Sequence, residues 1–232
     1  NRKPLVVRGA RQVGKTYTIS EFANQQFANS VSVNLEESPE LKSIFKTNNP
    51  KNILQELSIL KNTDIIPGQT LLFIDEIQSC PEAIVCLRYF YEQIPQLHLI
   101  AAGSLLDHAL SDIQLSMPVG RIEFCYMHPL SFSEFLRALS EEKLSDYIAS
   151  FVFEEPFSKA IHQKLLDIMR YYIFIGGMPE AVKVFIESQK LIEIERVQSS
   201  IINSLQYDFA KYGSKSQLRD LVSVFNYVAQ NA

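Results

Sequence analysis

Apolar residues in the first half of the chain fall in short continuous runs rather than in strict alternation. KPLVVR, VSVNL at 31–35, QTLLFID at 69–75, LHLIAA at 97–102 and RIEFCYM at 121–127 are the clearest. Runs of that length, rich in Val, Ile and Leu, predict strands covered on both faces, as in a parallel sheet with helices on either side. Between the first two, TYTISEFANQQF places Tyr17, Ile19, Phe22 and Ala23 at helical spacing. From about residue 131 the pattern changes. SFSEFLRALS, the stretch from Phe153 to Tyr172, PEAVKVFIES and LIEIERVQSSIINSLQYDFAKY repeat apolar residues at i, i+3, i+4 and i+7, as amphipathic helices do. The prediction is an α/β domain followed by an all-α one. Their joint lies near MHPLSF, where Pro129 is unfit for a helix interior.

The first strand runs straight into GARQVGKT. Gly9, Gly14, Lys15 and Thr16 hold the fixed places of G-x-x-x-x-G-K-[ST]. Gly9 lets the chain leave the strand sharply, and Gly14 lets backbone approach an anion where a Cβ would intrude. The amides of Val13 to Thr16 are then expected to line one concavity at a helix N-terminus, where the helix dipole adds positive potential. Lys15 would reach the β- and γ-phosphates, and the Thr16 hydroxyl would be a ligand for Mg²⁺. The expected nucleotide contacts are therefore Gly9, Ala10, Arg11, Gln12, Val13, Gly14, Lys15, Thr16 and Tyr17. An ordinary strand-turn-helix junction is the alternative, disfavoured by the strand before and the helix after, the context that a phosphate loop requires.

The third run ends in LLFIDEIQ, four apolar residues and then Asp75 and Glu76. Ligands of open α/β sheets gather at the carboxyl ends of the strands, where both this pair and the glycine loop emerge. Asp75 would hold Mg²⁺ through water, and Glu76 would orient and polarise an attacking water. The plainer reading is an acidic pair solvating a strand end. The neighbouring strand ends in AAGS, and Ser104 at its tip either points a hydroxyl between the γ-phosphate and the water or caps the helix expected at LLDHAL.

Composition narrows the setting. With 232 residues, 47% of them apolar, the chain can build one sizeable core or a core and a satellite. A net charge of -4 gives no global basic field, so nucleic-acid binding cannot be read from it. Cys80, Cys86 and Cys125 are odd in number and lack C-x-x-C spacing, which suggests reduced thiols rather than a disulfide framework or zinc. No stretch approaches the ~20 apolar residues of a membrane span, and no charged-then-apolar leader is seen. A cytoplasmic protein without a membrane partner is expected. The opening at Asn1, a few residues before a core strand, and the close within NYVAQNA suggest part of a longer protein.

GARQVGKT, LLFIDEIQ, AAGS, PVGRIEFCYMHPLSFSEF and GGMPEAV occur in that order. In this the chain resembles the AAA+ family of prokaryotic predicted ATPases, related to the STAND-type nucleotidases, from about residue 2 to about 210. The resemblance implies a P-loop NTPase core over 1–130, with a parallel five-stranded sheet in the order 5-1-4-3-2, a helical lid over 131–212, and over 213–232 the start of a winged-helix-like segment. LRDLVSVFNYVAQNA resembles the first helix of that segment. A C-terminal domain with a nuclease-like fold usually follows, and a DNA-directed role would belong to that missing part.

By the same resemblance Lys15 and Thr16 bind phosphate and Mg²⁺, Asp75 and Glu76 are the metal and water-activating pair, and Ser104 stands at the sensor position. Arg121 lies where such proteins present an arginine finger, acting on a γ-phosphate in a second copy or another protein or in its own subunit; a salt bridge beside the strand is the other reading. Pro179 of GGMP is expected against the adenine, although Gly176, Gly177 and Pro179 also fit plain helix-to-helix punctuation. Serine replaces the usual asparagine at the sensor position, and no lid-sensor arginine is evident, which implies slow or partner-dependent hydrolysis. The expected function is an ATP-binding protein with Mg²⁺-dependent hydrolysis, a nucleotide-driven switch for a C-terminal or partner domain. A small-molecule or nucleoside kinase and a non-hydrolysing ATP-binding module are the alternatives. The acidic pair favours water over a substrate hydroxyl, and the lack of an N-K-x-D motif favours adenine over guanine.

Overall fold

A computed structural model describes residues 2–104, 120–152, 158–212 and 215–231. Its strands are β1 (Leu5–Arg8), β2 (Asn29–Asn34), β3 (Thr70–Asp75), β4 (His98–Gly103) and β5 (Glu123–Tyr126). All pair in parallel in one sheet of order β2-β3-β4-β1-β5, the predicted 5-1-4-3-2 order read from the other edge.

The continuous apolar run of β3 has a direct cause. Leu71 and Phe73 join Val7, Ile100 and Ala102 against Ile19 and Ala23 of α1 (Lys15–Gln26). Leu72 and Ile74 point the other way, with Val6, Val33, Leu99 and Ala101, toward α2 (Lys42–Phe45), α3 (Pro50–Leu60) and α4 (Pro81–Gln93). Those helices supply Phe45, Ile53, Leu57, Leu87 and Phe90 to the larger core. Successive residues from Leu71 to Ile74 thus enter two different cores, and none of these four positions is left for a polar side chain. Helix α3 starts where Asn49 Oδ1 accepts from the amides of Lys51 and Asn52 and Pro50 takes the first helical place.

β5 departs from the expectation of strands covered on both faces. All four of its residues are exposed, and among the described residues it is an edge strand paired with β1; the other edge strand, β2, by contrast buries Val31 and Val33. The aromatic rings of β5 gain a partner from β1: the Arg8 guanidinium carbon lies 4.0 Å from the Phe124 ring centroid, and Arg8 Nη1 donates to the Tyr126 hydroxyl at 3.5 Å.

The chain divides into two compact units, Asn1–His128 and Pro129–Ala232. The second contains α5 (Phe132–Ala138), α6 (Glu142–Ser150), α7 (Lys159–Ile175), α8 (Pro179–Ser188), α9 (Leu191–Tyr212) and α10 (Lys215–Asn231). Phe135, Ile175, Ala181, Val182 and Ile194 form its main core. Reciprocal caps start α5: Ser131 N donates to Glu134 Oε2 at 2.7 Å and Glu134 N to Ser131 Oγ at 3.3 Å. Donation to Glu134 Oε2 from Ser131 N and then from Ser131 Oγ, the latter at 2.8 Å, holds the Glu134 carboxyl below its ordinary pKa. Of the helical stretch expected from Phe153, residues 153–157 lie outside the described residues, and the described helix begins at Lys159. Among the described residues, no helix is long and apolar enough to cross a membrane.

Candidate nucleotide site

β1 ends at Arg8 and α1 begins at Lys15, so six residues must turn the chain. Two of them take left-handed backbone: Gly14, the N-cap, at φ 92° and Gln12 at φ 65°. The glycine adopts this freely, whereas Gln12 pays about 1–3 kcal/mol, the usual cost of a non-glycine residue held there. Val13 is 1% exposed and pins the loop to the core. No side chain caps the start of α1, and no acidic residue lies in its first turn. Its first amides are left to an external anion, with the helix dipole behind them.

Gly9 has a role that the motif does not disclose. A Cβ there would stand 2.2 Å from the carbonyl oxygen of Met127, whose amide donates to Arg8 O at 2.7 Å. Met127 follows the paired residues of β5, so the first glycine admits the exit of the edge strand beside the loop.

Lys15 is 7% exposed. Its Nζ donates to the carbonyls of Gly9 and Ala10, both at 2.8 Å, which leaves one of three ammonium hydrogens for a further acceptor. Burial holds its pKa below the ordinary value; Glu76 and then Asp75 pull it up, and Arg11 adds slightly to the lowering. A desolvated cation facing two carboxylates and a set of amides suits a polyanion that brings its own cation.

Thr16 Oγ1 donates to Asp75 Oδ2 at 2.7 Å, and Glu76 N donates to Asp75 Oδ1 at 2.9 Å. Asp75 is 3% exposed, so both carboxylate oxygens are fixed within the protein. A hydroxyl and a carboxylate beside a phosphate loop are the hard oxygen donors that Mg²⁺ prefers. Glu76 is half-buried and left-handed, at φ 50° and ψ 44°. Its Oε2 accepts from Gln78 Nε2. Gln78 belongs to the LLFIDEIQ motif, yet its role was not legible there, because only the turn after β3 brings it back onto Glu76.

The remaining expected residues spread out. Ser104, just past β4, has its Oγ buried without a hydrogen-bond partner among the described residues, and the helix that it was expected to cap lies outside them. Arg11 pairs with Glu36 at 3.7 Å. Tyr17 is 73% exposed. Arg121 precedes β5, at the strand starts, whereas Lys15, Thr16, Asp75 and Glu76 cluster at the strand ends. Its Nε lies 3.2 Å from Glu92 Oε1, the salt bridge of the plainer reading. Pro179 takes the first helical place of α8 in the second unit. Gly177 nearby serves close approach, since a Cβ would meet Leu130 O at 2.2 Å, and Leu130 N donates to Gly177 O at 2.7 Å.

Comparison with known proteins places this geometry. The family model for the AAA domain matches residues 1–136, and a model for a domain of unknown function matches residues 166–232. Among solved structures, PCH-2 of C. elegans is similar over 86% of this chain and 60% of its own, at 12% identity and a TM-score of 0.42. The ORC2 protein of Aeropyrum pernix, solved as ADPNP-ADP complexes, is similar over 60% of this chain and 45% of its own, at 20% identity and a TM-score of 0.38. The chain thus spans less than two thirds of either protein. A comparison with curated proteins found no match. The AAA match takes in more than half of the 232 residues, including the phosphate loop, Asp75, Glu76 and the whole sheet, and the chain belongs to the AAA+ ATPase family.

Proposed function

We propose that this chain binds ATP with Mg²⁺ and hydrolyses it slowly, as a nucleotide-driven conformational switch for a C-terminal or partner domain. Family membership supports nucleotide binding and hydrolysis in general. The observation that carries the particular reading is the junction of the phosphate loop with the acidic strand end, the 2.7 Å bond from Thr16 Oγ1 to Asp75 Oδ2.

In this reading the α1 amides and Lys15 hold the phosphates, and Thr16 and Asp75 hold Mg²⁺. The cation would neutralise charge building on the phosphate oxygens. Glu76 takes a proton from water as that water attacks the γ-phosphate. Ser104, whose buried hydroxyl has no partner among the described residues, senses the same phosphate, and Pro179 lies against the adenine as part of a helical lid. Arg121 acts on a nucleotide held by a second copy, since four strand residues, roughly 10 Å or more, separate it from the strand ends of its own sheet.

The test is phosphate release from Mg-ATP across a range of protein concentrations, beside Lys15→Ala and Glu76→Gln. Turnover that rises with protein concentration and disappears in both variants is expected. ATP bound at every concentration without release of phosphate would overturn hydrolysis and leave a binding module.

A further inference from the structure

Glu76 is the proposed base, but a carboxylate on a turn has two rotatable bonds beyond Cβ and must be held to be useful. The buried Lys15 ammonium acts on its charge but donates to the carbonyls of Gly9 and Ala10. The side chain that holds it is Gln78, in the 3-10 turn Ile77–Ser79 directly after Glu76. Gln78 Nε2 donates to Glu76 Oε2. An ionised carboxylate can only accept, so this contact settles which end of the amide is nitrogen. The amide oxygen therefore points away from Glu76. It is buried and meets no donor among the described residues. A buried acceptor left without a donor costs about 1–3 kcal/mol, which makes Gln78 a poor choice for a residue that serves the fold alone.

The backbone supports the same assignment. Glu76 sits at φ 50°, a conformation unfavourable to a side chain with a Cβ, and its amide is tied to Asp75 Oδ1 at 2.9 Å. Ile77 is fully buried and anchors the turn. Position 76 is thereby over-determined from both sides, and Gln78 sets the remaining side-chain freedom.

We infer that Gln78 is the positioning residue for Glu76: its amide N–H locks the carboxylate that takes the proton of the attacking water. A water donating one hydrogen to the carboxylate so held has a lone pair left for phosphorus. Attack then forms the new P–O bond and breaks the bond from the γ-phosphorus to the bridging oxygen. ADP leaves, and the water's proton goes to Glu76. The inference rests on the hydrolysis reading above.

The discriminating variant is Gln78→Met, which keeps length and removes both polar ends. In the full chain, phosphate release under saturating Mg-ATP should fall about 10- to 100-fold, the scale of a misplaced catalytic group. ATP affinity, read by nucleotide-dependent thermal shift, should stay within twofold, and the melting temperature should hold or rise because the orphaned acceptor is gone. Wild-type turnover in Gln78→Met would overturn the inference and leave hydrolysis standing. A lowered melting temperature with an unchanged rate would show a purely structural residue. Failure of the wild type itself to release phosphate would overturn both readings at once. Should Gln78→Met not fold, Gln78→Glu serves instead: it keeps an acceptor, loses the donor and sets a second carboxylate against Glu76. A comparable fall in rate supports the inference, and an unchanged rate overturns it.

Discussion

The Thr16 hydroxyl donates to Asp75 Oδ2 at 2.7 Å, joining the first turn of α1 to the end of β3 across 59 positions of sequence. Asp75 is buried, and its other oxygen already accepts from Glu76 N. Thr16→Val keeps the shape and removes the donor, leaving a buried carboxylate oxygen short of a partner. The expected cost is about 1–3 kcal/mol in unfolding free energy, measured by urea denaturation. Nucleotide affinity should also lose its Mg²⁺ dependence. A variant as stable as the wild type, with Mg²⁺ dependence intact, would contradict this role for the pair.

Gly9 and Gly68 differ in what surrounds them. A Cβ at Gly9 would lie 2.2 Å from a backbone oxygen, whereas at Gly68 nothing stands within 4 Å and only the φ of 87° opposes a side chain. Gly68→Ala should cost about 1 kcal/mol, the left-handed penalty alone. Gly9→Ala must push the loop or the exit of β5 aside. It should lower the melting temperature clearly more and weaken ATP binding, which thermal denaturation with and without nucleotide will show.

Much of this was legible in sequence because it is local or periodic. Leu71 to Ile74 read as a doubly buried strand since each residue has a core to enter. Lys15 and Thr16 stood out as candidates because phosphate chemistry would fix their spacing from Gly9 and Gly14. The unread features depend on distant partners or on backbone sign. Nothing in GARQ announces that the Met127 carbonyl needs the space at Gly9, and no periodicity marks Gln12 as left-handed. The exposure of β5 depends on what packs over it, since the other edge strand, β2, buries Val31 and Val33, and the run RIEFCYM does not disclose that. The contact of Gln78 with Glu76 arises from a turn too tight for either the helical or the strand period to describe.

Burial disfavours the charged form of Lys15. Its pKa in the folded protein therefore lies below the ordinary 10.5, and folding carries a penalty whenever Lys15 is protonated. The penalty is present below the lowered folded value and is relieved as pH rises through it toward the unfolded value, because there the unfolded chain binds more protons. Lys15→Met removes it at every pH. It also removes the two 2.8 Å bonds to Gly9 O and Ala10 O, so the sign of the change at one pH is not set by the pKa, but its pH dependence is: the wild type should gain stability relative to the variant as pH rises through the lowered value, and ATP should no longer raise the variant's melting temperature. Denaturation across alkaline pH with and without ATP checks both; a stability difference independent of pH would reverse the argument.

In the second unit, Gln189 ends α8 at φ 54° and ψ 21°, and its amide donates to Phe185 O at 2.9 Å. Glycine is the residue that such a helix end favours. Gln189→Gly should raise unfolding free energy by about 0.5–1 kcal/mol after its larger unfolded-state entropy is counted. Chemical denaturation reads the sign directly.

Arg121 offers the sharpest test of whether a second copy completes the site. In its own chain it is engaged: Arg88 Nε and Arg121 Nε approach the same Glu92 oxygen at 3.0 and 3.2 Å. Together they hold the Glu92 carboxyl below its ordinary pKa, Arg88 first and Arg121 second. Such stabilisation is present above the ordinary carboxyl value and lost as pH falls through the lowered one. Arg121→Ala should therefore raise the Glu92 pKa in a carboxyl-detected titration. The exposure of the pair means that the melting temperature at pH 7 should not move. If the arginine acts on a neighbour, the same variant should also lose phosphate release while still binding ATP. Glu76→Gln binds ATP and keeps Arg121 but cannot activate water, so neither variant alone turns over. Mixed together, a subunit with an intact Glu76 can meet a subunit with an intact Arg121, and release of phosphate should return. A mixture as inactive as its parts would confine Arg121 to the salt bridge with Glu92.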